Sequence, residues 1–132
     1  MTIRPARPED GPAIGKLFAQ EPETPMFDWT TPGLASWWLV AVEDDDAVVG
    51  AIQVSTSLPA GSIGDLIVAE SHRRAGVAWA LWKAAEAILV RAGCQWVSAA
   101  IRGRWWWTAA VSDKAGFVAH PDRVMFMRKD LR

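Results

Sequence analysis

The segment that decides the fold runs from Leu66 to Gly93, and its first half reads Leu66-Ile67-Val68-Ala69-Glu70-Ser71-His72-Arg73-Arg74-Ala75-Gly76-Val77-Ala78. Three apolar residues predict a short buried strand, the basic stretch with one glycine predicts a turn, and the alanine- and leucine-rich continuation predicts a helix. Backbone N–H groups in the first turn of a helix have no intrahelical partner, and the helix dipole adds partial positive charge there. The segment therefore predicts an anion-binding cradle, with a solvated arginine-rich helix start as the alternative.

The composition is that of one globular domain, which we expect to span residues 1–132. Half of the residues are hydrophobic (51%), and 14 Lys and Arg nearly balance 15 Asp and Glu, for a net charge of −1. This balance provides no general electrostatic attraction to nucleic acids or anionic membranes. The single cysteine, Cys94, cannot form an internal disulfide, and no apolar run has the length of a membrane span. We expect a cytoplasmic protein with no membrane contact.

Hydrophobic periodicity predicts the order β-α-β-β-β-α-β-α-β-β. We therefore expect an α/β (α+β) fold in which helices flank a mixed, largely antiparallel central sheet. The acidic run Glu43–Asp46 falls at a hairpin turn, and we interpret it as solvated and predict no metal site. The predicted segments are strands at Thr2–Arg7, Trp37–Val42, Ala47–Thr56, Ser62–Val68, Gln95–Ile101, Gly116–Val118 and Val124–Arg128, with helices at Asp10–Ala19, Ala75–Ala92 and Trp106–Ala115.

Two motifs in the chain combine a recognisable pattern with a matching placement. The residues Arg73–Ala78 fit Q/R-x-x-G-x-G/A between a strand and a long helix, and Lys114-Ala115-Gly116-Phe117 fits K-x-G-F after a later helix. With these motifs the chain resembles the GNAT superfamily of N-acetyltransferases along nearly all of its length. A dinucleotide-binding alternative fails because the pattern G-x-G-x-x-G is absent.

The resemblance implies acetyl-CoA as cosubstrate and direct attack by a primary amine on its thioester in a ternary complex. In the family, the strand matching Leu66, Ile67 and Val68 pairs through its backbone with the pantetheine arm, and an N–H near Val68 polarises the thioester carbonyl. Glycine at position 76 suits the cradle because a backbone without Cβ can approach phosphate oxygens closely. The residues implied to hold the pyrophosphate are Arg73, Arg74, Ala75, Gly76, Val77, Ala78 and Trp79.

The chain departs from the family at three positions that often carry function. Many members place a Tyr four residues before the closing glycine, where it protonates the leaving thiolate; this chain has Ser112 there and contains no Tyr. Trp105 stands where an Asn often contacts the pantetheine arm, and Ala100 stands where some protein-acetylating members have a Glu base. These departures leave a second hypothesis, a catalytically degenerate domain that binds CoA or a protein partner.

Two residues are the candidates for catalysis. Asp65 directly precedes the apolar triplet, where several family members have acidic residues, and it would accept the amine proton. The alternative for Asp65 is a structural role in which it hydrogen-bonds nearby backbone. Ser112 would donate a hydrogen bond or position water, or else it is an ordinary helix residue. Because a thiol has a pKa of about 8.5, thiolate expulsion needs little acid assistance near neutral pH.

The amine acceptor would meet the two idiosyncratic loops of the chain. Gln20–Leu34 carries Phe27 and Trp29 as candidate walls of a substrate pocket, although a surface connection folded onto the core is an equal alternative. Arg102–Trp107 contains Trp105, a third candidate for substrate binding, and its aromatic cluster could instead form a homodimer patch. Basic residues beside aromatics also suit single-stranded nucleic acid, but the net acidic charge disfavours that partner. We expect a small-molecule or peptide amine as acceptor.

Overall fold

The structure is a computed structural model of the 132-residue chain, and it describes residues 1–20, 35–100, 118–119 and 126–131. Within these ranges, seven strands form one sheet in the order β1-β2-β3-β4-β5-β7-β6. Every neighbouring pair is antiparallel except β4 and β5, which run parallel. The expected mixed, largely antiparallel sheet flanked by helices is thereby confirmed. The elements are β1 (Thr2–Pro5), α1 (Gly11–Ala19), β2 (Ala35–Val42), β3 (Val48–Ser57), β4 (Ala60–Val68), α2 (Val77–Ala92), β5 (Trp96–Ala100), β6 (Val118–Ala119) and β7 (Phe126–Asp130).

Most element boundaries differ from the predicted ones by a few residues, and local geometry explains the differences. The helix α2 begins at Val77, because Gly76 adopts a left-handed conformation with φ of 80° and cannot continue the helix. The strand β4 begins at Ala60, because the hairpin from β3 turns within two residues. A short 3-10 turn at Pro8–Asp10 precedes α1 and delays its start to Gly11. The predicted helix at Trp106–Ala115 lies outside the described residues.

Each face of the sheet is covered by one helix. On the first face, called the α2 face, apolar periodicity predicts a stripe of Val77, Leu81, Ala85, Ile88 and Leu89; all are buried except Ile88, which is partly buried, and Trp82 joins them at 1% exposure. On the opposite α1 face, the buried residues of α1 pack on the strands β2, β3 and β4. No helix in the described part of the chain is long and apolar enough to cross a bilayer. The α1 residues that pack on β2, β3 and β4 are Ile14, Leu17 and Phe18.

A buried ion pair fastens the edge strand β1 to the start of α1. The Arg4 guanidinium donates to both carboxylate oxygens of Asp10, at 2.7 and 3.0 Å, and the backbone N–H of Arg7 donates to the same carboxylate at 2.7 Å. These hydrogen bonds, with the one from Arg4 contributing most, lower the pKa of Asp10 even though its burial acts in the opposite direction. The pair is a structural device, since it lies on the segment that leads into α1 and not on β4 or α2.

We expect Asp10→Asn to lower the free energy of unfolding by about 1–3 kcal/mol at neutral pH, because it weakens charge-assisted hydrogen bonds to a buried group. The folded-state pKa lies below the unfolded value of about 3.9, so the contribution is complete above that pH and is lost as the pH falls through the folded-state pKa. Urea unfolding at pH 7 and at pH 3 measures both effects. The exposed neighbour provides the control variant, Glu9→Gln. A stability difference that stays constant between the two pH values would contradict the assignment.

Candidate functional site

The described pairing of β4 with β5 covers only the first part of β4. The two strands pair in parallel from Ala60 with Trp96 to Ile63 with Ala99, and β5 is described as far as Ala100. The strand β4 continues to Val68, paired with β3 on its other side. No described strand pairs with residues 64–68 of β4 on the side of β5, and this stretch of strand backbone is called the slot.

The backbone of Leu66 and Val68 faces this slot. The N–H of Ala69 donates to the carbonyl of Val49 at 2.8 Å, and the same register pairs Ile67 with β3. Hydrogen-bonding direction alternates along an antiparallel strand, so the N–H and C=O groups of Leu66 and Val68 point away from β3 and into the slot. The side chains of all three residues are buried in the core. Leu66 and Val68 can therefore offer a ligand only their backbone, and the backbone of Ile67 is already paired.

A β-bulge marks the inner end of the slot. Ile52 pairs with Leu66 and Val54 with Ile63, so the two residues Gly64 and Asp65 stand opposite the single residue Gln53. A Cβ built on Gly64 would lie 2.6 Å from Oε1 of Gln53, which places the Gln53 side chain directly over the bulge. The bulge holds the half-buried Asp65 on the α1 face, next to Gln53 and one residue before the slot backbone of Leu66.

The cradle, residues Arg73–Trp79, lies at the outer end of the slot. After β4 the chain makes a 3-10 turn at Glu70–His72, and Arg74 and Gly76 then adopt left-handed conformations with φ of 64° and 80°. The first hydrogen bond of α2 runs from the N–H of Ala80 to the carbonyl of Gly76 at 3.0 Å. The N–H groups of the three preceding helix residues therefore precede the helical bonding pattern and lie at the positive end of the α2 dipole. These three residues are Val77, Ala78 and Trp79.

Gly76 is required for its backbone conformation, while the space above it is open. In the described part of the structure nothing lies within 4 Å of the position where a Cβ would stand, so the space over Gly76 is open. A φ of 80° is costly for residues with a side chain. Arg74 also has a left-handed backbone, with φ of 64°, and is therefore strained; its side chain is exposed.

Three contacts hold the loop that leads from β4 to the cradle. The Nε of Arg73 donates to the carbonyl of Val68 at 3.3 Å, and the N–H of Glu70 donates to Oε1 of Gln20 at 3.1 Å. Nε2 of His72 lies 3.7 Å from a carboxylate oxygen of Glu43, at the tip of the β2–β3 hairpin. The loop is thus tied to β4, to the end of α1 and to that hairpin, which fixes the cradle relative to the slot.

A comparison with protein-family models identifies the origin of this arrangement. Residues 4–103 match the model described as the acetyltransferase (GNAT) family, which is well over half of the chain. The chain belongs to the GNAT family. A search of curated proteins found no match.

Solved structures reproduce the fold along nearly the whole chain at low sequence identity. A Klebsiella pneumoniae protein assigned as an acyl-CoA N-acyltransferase is 20% identical, with a TM-score of 0.83 over 99% of this chain and 97% of that one. The Escherichia coli ribosomal-protein-S18-alanine N-acetyltransferase is 16% identical, with a TM-score of 0.79 over 98% and 93%. Naa20 of Chaetomium thermophilum, in complex with a bisubstrate analogue, is 21% identical, with a TM-score of 0.75 over 98% and 86%. At these identities the likeness establishes the fold.

The structure brings together only part of the GNAT site predicted from the sequence. The bulge with Asp65, the slot and the cradle follow one another along the chain from β4 to α2, and the hydrogen bond from Arg73 to the carbonyl of Val68 joins the cradle to the end of β4. Ser112 and the three candidate substrate contacts lie outside the described residues and stay predictions. In the described part of the chain, no group of three His, Cys, Asp or Glu side chains could hold a metal ion. The three candidate substrate-binding residues outside the described ranges are Phe27, Trp29 and Trp105.

Sequence reasoning missed two residues that shape this GNAT site. Gln53 covers the bulge. The sequence feature that could have indicated this role is its position as a single polar residue inside the apolar run of β3. Gln20 accepts a hydrogen bond from the loop before the cradle, across fifty positions of sequence. Nothing in the sequence near Gln20 indicates that contact, because it depends on how α1 is placed against the sheet.

Proposed function

We propose that the chain, acting as one domain over residues 1–132, transfers the acetyl group of acetyl-CoA to a primary amine. The observation that carries the proposal is the direct connection of β4 to the cradle, which the hydrogen bond from Nε of Arg73 to the carbonyl of Val68 holds in place. The anion site at the start of α2 thus follows a strand whose backbone at Leu66 and Val68 points away from β3. Acetyl-CoA has the matching chemistry in the same order, with charged phosphates followed by an arm that contains amide groups.

The residues of the slot and of the cradle suit the parts of this cosubstrate. The N–H groups of Val77, Ala78 and Trp79 would bind the pyrophosphate, with Arg74 adding a charge-assisted contact. The amides of the pantetheine arm would pair with Leu66 and Val68 as an added strand does. From Val68 to Asp65 the strand spans about 10 Å, which directs the thioester end toward the bulge. An N–H facing the slot would then polarise the thioester carbonyl.

The chemical step is one acyl transfer. The lone pair of a neutral amine attacks the carbonyl carbon, the C–N bond forms as the C–S bond breaks, and CoA leaves as a thiolate. The amine loses one proton, which Asp65 accepts directly or through water. Ser112 would assist the departing thiolate. Holding both reactants in one ternary complex supplies much of the acceleration by proximity.

The second candidate function is a GNAT domain that binds CoA or a protein partner without turnover. It is favoured by the absence of Tyr from the chain and by Ala100, which occupies β5 where some members carry a Glu base. Both candidates require the cradle and the slot. They differ in whether an amine causes release of CoA. The cytoplasmic location expected from the sequence stays a prediction.

We expect saturating acetyl-CoA to raise the Tm of the protein. A ligand at 100 times its Kd stabilises the folded state by about 2.7 kcal/mol, which corresponds to roughly 10 °C for a chain of this size. Differential scanning fluorimetry with acetyl-CoA, CoA and ATP measures the effect, and ATP controls for binding of phosphates alone. Absence of a shift at millimolar acetyl-CoA would contradict both candidate functions.

Turnover is tested by the release of CoA thiol in the presence of amines. The panel contains polyamines, amino sugars, amino acids, peptides with free N-termini and arylalkylamines. Amine-dependent thiol release supports the acetyltransferase. A Tm shift without release from any amine favours the CoA-binding module.

A further inference from the structure

One polar side chain of β3 lies on the α1 face, at the level of the bulge. Gln53 pairs with Trp38 of β2, whose side chain is buried in the α1 face. Residues opposite each other on paired strands share a face of the sheet, so Gln53 lies on the α1 face as well. Its neighbours in β3, Ile52 and Val54, are buried on the other face beneath α2, which agrees with this placement.

The bulge places two residues of β4 on that same face. Ile63 and Leu66 are both buried beneath α2, and neighbouring strand residues point to opposite faces. Gly64, which follows Ile63, and Asp65, which precedes Leu66, therefore both lie on the α1 face, opposite Gln53. The extra residue of the bulge thus adds a carboxyl group to the face on which Gln53 lies.

Gly64 provides the space that the side chain of Gln53 fills. A Cβ built on Gly64 would lie 2.6 Å from Oε1 of Gln53 and 3.4 Å from its Cβ and its Cδ. The side chain of Gln53 therefore extends from β3 and lies flat over Gly64. Its amide oxygen stands above β4, the strand whose opposite edge is the slot, and any side chain at position 64 would displace it.

The bulge thus presents two hydrogen-bond acceptors, the amide oxygen of Gln53 and the carboxylate of Asp65. An amide oxygen accepts up to about two hydrogen bonds and a carboxylate about four, so both groups can accept from a ligand in addition to their contacts within the protein. Opposite residues on paired strands have Cβ atoms about 5 Å apart. Two acceptors that each receive an N–H group of one tetrahedral nitrogen, at about 2.9 Å, lie about 4.7 Å apart. The spacing of the two positions suits a single nitrogen that carries two hydrogens.

We propose that Gln53 is a further catalytic residue, which forms with Asp65 a clamp for the amino group of the acceptor. The inference rests on the acetyltransferase function proposed above. A neutral primary amine has two hydrogens and one lone pair. When Oε1 of Gln53 and the carboxylate of Asp65 accept the two N–H groups, the lone pair points away from β3 and toward the slot, where the thioester would lie. As the C–N bond forms and the C–S bond breaks, Asp65 takes one proton, and the N–H that remains in the product amide stays on Gln53.

Two isomeric amines of similar basicity test the clamp, propylamine and N-methylethylamine. The secondary amine has a single N–H, which Asp65 takes, so an alkyl group faces Gln53. We expect Gln53→Met, which keeps the size of the side chain and removes its amide, to lower kcat/KM for propylamine by about tenfold and that for N-methylethylamine by less than about twofold. Gly64→Ala should have the same selective effect, because its Cβ displaces Oε1 of Gln53 and its backbone is not left-handed. Thiol release at saturating acetyl-CoA measures both amines.

The outcomes separate the clamp from the proposed function. The matched control is Gln95→Met, the same change at an exposed residue just before β5, and it should alter neither value. An equal loss for both amines in Gln53→Met, or no loss for either, rejects Gln53 as an acceptor and keeps the acetyltransferase. Thiol release with another amine but none with propylamine has the same meaning, because the clamp holds the amino group alone. No release with any amine rejects the proposed acetyltransferase and the clamp with it. The Tm shift with acetyl-CoA checks the folding of each variant, and Gly64→Ala carries the test if Gln53→Met does not fold.

Discussion

We expect the substitution Gly76→Glu to abolish the rise in Tm that we propose acetyl-CoA causes in the wild-type protein. Two physical effects act together at this position. The backbone has a φ of 80°, which a residue with a side chain adopts only with strain, and the new carboxylate stands at the N-terminus of α2 where a phosphate group would bind. Repulsion between the carboxylate and the pyrophosphate removes binding even if the strained loop keeps its shape. Fluorimetry in the presence and absence of acetyl-CoA measures the change.

The other end of α2 offers a control with a similar left-handed backbone and an open Cβ position. Gly93 ends the helix with a φ of 91°, and in the described structure its Cβ position is as open as that of Gly76. Gly93→Glu therefore introduces a comparable strain and the same charge, far from the cradle. Its Tm should fall without ligand, while the shift with acetyl-CoA persists. Loss of the shift in both variants would mean that general destabilisation explains the result, and a normal shift in Gly76→Glu would remove the cradle from the cofactor site.

The second large effect is on turnover. We expect Asp65→Asn to lower kcat/KM for the amine by about 10²–10⁴-fold, the range for loss of a general base, while the Tm shift with acetyl-CoA is retained. Asn keeps the size of the side chain at the bulge and removes its capacity to accept a proton. Steady-state measurement of thiol release, with amine and acetyl-CoA varied separately, gives the change for each substrate.

Two results would assign Asp65 a different role. Turnover that is unchanged in Asp65→Asn rejects it as the base and keeps the enzyme. Loss of the acetyl-CoA shift indicates the structural alternative, in which Asp65 maintains the bulge that ends the slot. Glu70→Gln is the matched control, because it neutralises an exposed carboxylate on the loop between β4 and the cradle. It should leave both measurements close to the wild-type values.

The parts of this fold that depend on local sequence were predictable. Apolar periodicity over residues 77–89 indicates a helix with one buried stripe, and α2 has that stripe. The glycine at position 76 indicates where the helix starts, because left-handed backbone favours glycine. The acidic turn after β2 also behaves as expected, with Asp45 accepting a hydrogen bond from the N–H of Ala47 at 3.1 Å.

The parts that depend on pairing between distant strands were not predictable. No local pattern shows which positions of β4 and β5 pair, because that follows from the register of strands more than thirty residues apart. The bulge at Gly64 and Asp65 becomes visible only when two pairs, Ile52 with Leu66 and Val54 with Ile63, are compared.

The slot also has a consequence for the empty protein. Unpaired strand backbone is the feature through which β-proteins associate with one another, and it normally occurs at the outer edges of a sheet. Here no described strand pairs with Leu66 and Val68 on the side of β5, in the middle of the sheet, although Nε of Arg73 donates to the carbonyl of Val68. An extended segment of another chain could occupy the place proposed for the pantetheine arm. If acetyl-CoA binds there as proposed, its concentration would also determine how often the protein is exposed to unwanted association.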